Sequence, residues 1–166
     1  MGWNNLLQAD FYGDRHWVLT KPLSYTCQNF MDNTERNLWK GIGVDIVLNK
    51  NANTITITVP KGYHTDLASI HRVAWSLISP WDVARGAVLH DMLYGNIRKN
   101  KNRLNKQRIK NLRLQADQLF KKGMIDAWPR VPKWKIGTCY NFVRCLGWAS
   151  IIKAAKFDEN DKSKST

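Results

Sequence analysis

The sequence predicts an α+β fold, with a small antiparallel β-sheet in the N-terminal half packed on a cluster of three helices in the C-terminal half. Three observations predict it. Residues 54–59 (TITITV) alternate Thr with Ile or Val, the pattern of a strand with one face buried. Residues 104–124 carry Ile109, Leu112, Ala116, Leu119 and Phe120 on one helical stripe. Strand patterns come first along the chain and helix patterns follow, which segregates the two layers. The 166 residues are one domain's length and enough to bury a core. Residues 1–156 read as a single domain, and residues 157–166 (FDENDKSKST) as a polar tail with too little apolar surface to pack.

Each element has its own signal. Residues 16–20 (HWVLT) and 42–48 (IGVDIVL) are β-rich, and the polar run 49–53 (NKNAN) is a turn of hairpin length before residues 54–59. Pro60 ends that strand, and Lys61-Gly62 turns the chain. Ser79-Pro80 offers an N-cap with proline at the first helical position. A helix is expected over residues 81–94, closed by Gly95-Asn96. The second helix follows over 104–124, with Gly123 near its end. Trp128-Pro129 and Val131-Pro132 form a stiff connector to a third helix, residues 135–156. That helix is apolar on most sides and is expected to pack on the other two.

Composition narrows the class. With 43% hydrophobic and 23% charged residues the chain is expected to be globular rather than disordered. Lys and Arg number 26 against 13 Asp and Glu, a net charge of +13, so an anionic partner is expected: a phospholipid headgroup, nucleic acid or an acidic protein surface. The N-terminal residues lack a basic region followed by an apolar run, so no signal peptide is expected. The best apolar stretch, residues 142–155, is interrupted by Arg144 and Lys153 and is too short for a transmembrane segment. Cys27, Cys139 and Cys145 have no metal-ligand spacing and read as reduced thiols.

The chemistry concentrates on the first helix. Val83, Ala84, Ala87 and Val88 define its apolar face, and that face continues onto His90, Asp91 and Tyr94. A carboxylate and an imidazole thus point toward the core, where a charge needs a partner. Asp117 repeats the anomaly on the next helix, between Ala116 and Phe120. Two antiparallel helices would set Asp117 opposite His90. This is either an oriented general base or a structural pair that ties the helices. Upstream, Thr65, Asp66 and Ser69 either cap a turn or bring Asp66 beside Asp91 as oxygen donors to a hard cation such as Ca²⁺.

These residues carry three resemblances. The stretches VPKGYHTDLASI, AVLHDMLYG and ADQLF, within residues 59–120, resemble a family of small tailed-phage and prophage proteins of unknown function. Its pattern is VP-x-G-[FY]-x-TDLAS-[IV]-PR, then AA-[VI]-[IL]-HD-x-LY, then AD-x-x-F; His71 stands here where that family has Pro. This implies a phage context, in the virion or the host cytoplasm, and partners among phage structural proteins. The His90-Asp91-x-x-Tyr94 helix with Asp117 on the next is similar to the catalytic helix pair of secreted-type phospholipases A2. That resemblance implies His90 as the base that activates water, Asp91 as a calcium ligand, Asp117 as the group orienting His90, and Tyr94 as a donor to Asp117. The glycine-rich calcium loop and flanking disulfides of those enzymes are absent, and TDLAS, with Asp66, is the segment that would substitute. The order His71, His90-Asp91, Asp117 also resembles the ligand order of HD-class metal phosphohydrolases, a wholly helical fold.

A basic belt lies between the two helices. Arg98, Lys99, Lys101, Arg103, Lys106, Arg108, Lys110 and Arg113 fall in residues 98–113 with no acidic residue among them. The belt reads as an anion-binding footprint or as a solvated helix face. Two function classes follow: a phage-encoded, metal-dependent hydrolase of a phosphate-bearing substrate, using Ca²⁺ or another divalent cation, or a non-enzymatic component of the tail, neck or capsid surface.

Overall fold

The computed structural model describes residues 1–12, 17–65 and 80–153. In chain order the elements are β1 (Gly2–Trp3), β2 (Ala9–Phe11), β3 (Trp17–Leu19), β4 (Leu23–Gln28), α1 (Asn33–Gly41), β5 (Asp45–Asn49), β6 (Thr54–Val59), β7 (His64–Thr65), α2 (Pro80–Lys99), α3 (Lys106–Ile125) and α4 (Lys133–Lys153), with a 3-10 turn at Lys101–Arg103. The fold is α+β as expected, but the strands form two antiparallel sheets, ordered β1-β4-β6-β5 and β2-β3-β7.

Alternation decides which face of the main sheet meets the helices. In β6, Ile55, Ile57 and Val59 are buried, while Thr54, Thr56 and Thr58 face outward. β4 pairs with it in register, Leu23 to Val59 through Gln28 to Thr54, and adds Leu23, Tyr25 and Cys27 to the same inner face. On the outer face Ser24 bonds Thr58 at 3.1 Å and Thr26 bonds Thr56 at 2.8 Å. The expected hairpin joins β5 to β6, and Asn53 takes the left-handed backbone its turn requires, with φ 47°.

The structure corrects the sequence reading at several elements. The N-terminal half also holds a helix, α1, started by a capping box in which Asp32 accepts from the Glu35 amide at 2.8 Å and Glu35 accepts from the Asp32 amide at 2.9 Å. α1 buries Trp39 fully, and the indole donates to Gln115 of α3 at 2.7 Å. α2 does not stop at Gly95-Asn96 but runs to Lys99. Ile97 is fully buried there and Asn96 donates to the Met92 carbonyl at 2.9 Å, so core packing outweighs the glycine. α4 starts two residues before its expected first position, directly after Pro132. Ser79 and residues 154–166 lie outside the described residues.

α2 and α3 cross closely because glycines meet. A Cβ on Gly123 would lie 3.7 Å from the Gly86 Cα, and one on Gly86 would touch the Phe120 ring at 3.2 Å. The helices are antiparallel: Gly86 faces residues 120–124, whereas Tyr94 faces Asp117. One core lies between sheet and helices, and a second, built on Val83, Ala87, Phe120, Met124, Val131, Ile136 and Cys139, lies among the helices. Among the described residues no helix is long and apolar enough to cross a membrane.

Candidate functional site

The antiparallel crossing brings His90 of α2 and Asp117 of α3 together. His90 Nε2 lies 2.8 Å from Asp117 Oδ1, and the Tyr94 hydroxyl donates to the same oxygen at 2.8 Å. Residues four apart on a helix share a face, so His90 and Tyr94 reach one carboxylate, and their rings sit 4.2 Å apart. The second oxygen, Oδ2, accepts from Arg144 Nη1 of α4 at 2.8 Å. Asp117 itself has no exposed surface, while the His90 side chain keeps 11%.

The electrostatics follow from this geometry. Burial alone would raise the Asp117 pKa. The hydrogen bond and charge of His90 oppose it, joined by Arg144 and Tyr94, and the carboxyl ends below its usual range. The group is therefore an anion at neutral pH. Burial pushes the Tyr94 phenol well above its ordinary value, Asp117 adds to the rise, and Arg113 opposes it. The bond to Asp117 raises Arg144 in turn. Because Asp117 engages Nε2, a neutral His90 carries its proton there and presents its lone pair at Nδ1.

The remaining predicted residues are distributed around this cluster. Asp91 is half-buried, and its Oδ2 accepts from Thr65 of β7 at 3.1 Å, so the end of β7 reaches the helix beside His90. Asp66 and His71 lie outside the described residues. Among the described residues no group of three or more His, Cys, Asp or Glu is placed to hold a metal ion. The basic belt is not one surface. Arg113 is buried beside Tyr94, Arg98 and Lys101 are half-buried, and Lys99, Arg103, Lys106, Arg108 and Lys110 are exposed. Arg144 is the functional-site residue that sequence reasoning did not assign. Its signal was present: a cation inside the apolar run of α4 needs a buried anion, as Asp117 needs a cation.

Fold and cluster together define an α+β protein in which three helices converge on one buried carboxylate. Residues 42–143, more than half of the 166, match the family described as Protein of unknown function (DUF1353), and the chain belongs to that family. The match spans His90, Asp91, Tyr94, Arg113 and Asp117, and ends one residue before Arg144. No curated protein and no solved structure matches the chain.

Proposed function

We propose that the chain is a phage-encoded hydrolase of a phosphate-bearing substrate, with a phospholipase A2-like frame. The observation that carries this reading is the 2.8 Å bond from His90 Nε2 to the fully buried Asp117 Oδ1. It orients the ring and stabilises the imidazolium that forms when Nδ1 takes a proton from water. The water oxygen bonds to the ester's electrophilic atom, the ester bond breaks, and the proton passes from Nδ1 to the leaving oxygen. Tyr94 and Arg144 position Asp117. Arg144 also neutralises part of its charge, a departure from the phospholipase pattern. Asp91, held by Thr65, and Asp66 would hold Ca²⁺ or another divalent cation, and such an ion polarises the ester oxygen when bound.

A second reading has its own support: Asp117 joins α2, α3 and α4, as a structural hub would in a virion component of tail, neck or capsid. His90→Gln separates the two. In the hydrolase, release of product from anionic phospholipid vesicles or a soluble phosphate ester falls by about 10²–10⁴-fold while the protein stays folded. In the hub, neither protein is active and stability falls by about 1–3 kcal/mol. Equal, non-zero hydrolysis by both proteins overturns the role of His90. In thermal unfolding, Asp91→Asn should abolish any rise in melting temperature on adding Ca²⁺.

A further inference from the structure

A separate concavity lies on another face of α2. Met92, Asn96 and Lys99 follow one another at helical spacing, away from His90 and Tyr94, and line a groove of about 450 Å³ against the turn from Pro60 to His64. The volume is within the range of small-ligand sites, roughly 300–1,000 Å³. Lys61, Arg98 and Lys99 line it together with His64, and among the described residues no carboxylate does. Tyr63 supplies an aromatic wall.

Two glycines leave the groove's walls bare. Gly62 holds the left-handed backbone at φ 78°, with nothing within 4 Å of where a Cβ would stand. Gly95 lies inside α2, where glycine is unfavourable. Packing does not demand it: an added Cβ would meet the Tyr63 hydroxyl at 3.7 Å and Arg98 Nη2 at 3.9 Å, ordinary contacts. The helix forgoes a stabilising side chain at the point where the groove needs open floor.

We infer that this groove binds a phosphate ester of mononucleotide size, its phosphate between Lys61 and Arg98 and its planar group against Tyr63 and Met92. Three cations, with no carboxylate lining the groove among the described residues, select an anion, and the guanidinium of Arg98 suits phosphate oxygens. The site stands apart from the His90 reading, and His90→Gln leaves it intact.

Titration calorimetry with adenosine monophosphate, with inorganic phosphate, and with phosphatidylglycerol vesicles as competitor tests it. Adenosine monophosphate should bind one per chain and more tightly than phosphate. Arg98→Gln and Lys61→Gln should each weaken it by about tenfold. Gly95→Ala should raise the melting temperature and weaken binding together. Vesicles that displace the nucleotide support the same site and identify the ester as a lipid headgroup. Unchanged binding in Arg98→Gln and Lys61→Gln, an equal loss in Lys133→Gln at the start of α4 outside the groove, or no preference over inorganic phosphate overturns the inference.

Discussion

On the inner face of the main sheet, Leu23, Tyr25, Cys27, Ile46, Ile55, Ile57 and Val59 are at most 3% exposed, and they pack largely as apolar surface. Where α2, α3 and α4 meet, burial instead encloses His90, Asp117 and Arg113, with Arg144 reaching in from α4. The first region gains stability from area removed from water and tolerates any side chain of similar shape. The second must satisfy a charge from several directions at once, and losing one partner leaves another uncompensated. Stability in the sheet is spread over many residues. In the helical junction it depends on a few, and those few are the ones with chemistry to offer.

The largest expected effect is therefore at Asp117. Asp117→Ala should lower unfolding free energy by about 3–5 kcal/mol in denaturant titrations, because it leaves His90, Tyr94 and Arg144 without their acceptor. The pH dependence has a definite sign. The folded pKa lies below the ordinary 3.8, so the stabilisation is present above that value and is lost as pH falls through the folded one. Asp117→Asn should remove this acid limb from the stability profile. A small loss at Asp117 would mean that the helices hold together without the cluster.

Gly147 sharpens the comparison from the other side of the junction. A Cβ there would stand 2.5 Å from the Tyr94 hydroxyl, so Gly147→Ala should cost about 1–3 kcal/mol by overpacking. Adding Tyr94→Phe should recover part of the loss, and strict additivity of the two changes would refute the contact. In the sheet, Ile57→Val should cost only about 0.5–1.5 kcal/mol and leave the cluster's acid limb unchanged. A shift of that limb on mutating Ile57 would show that the two regions are not independent.

Much of the helical junction was legible because polar residues on an apolar stripe advertise a partner. His90, Tyr94 and Asp117 each break a helical pattern, and their spacing on two antiparallel helices was enough to pair them. Arg144 broke a pattern too, but in a helix apolar on most sides no face marks where the break points. α1 was missed because NTERNLWKG carries only two large apolar residues, and it is held by the Asp32 cap and by one buried indole. β4 did alternate Leu, Tyr and Cys, but Ser, Thr and Gln between them weaken the signal of a central strand. Gly95 read as a stop because glycine favours helix ends; only the tertiary burial of Ile97 carries α2 past it.

The Trp3 indole donates to the Gly123 carbonyl at 2.9 Å, across 120 positions of chain, and its ring lies 4.9 Å from that of Tyr25. During synthesis, at roughly 5–20 residues per second, this acceptor is made roughly 6–24 s after its donor. Until then β1 has no helix end to dock on, and β4 presents an open edge to any neighbouring strand. The residues of β1 are therefore made well before they are secured, and a growing chain is most exposed to wrong pairing in the interval before α3 emerges.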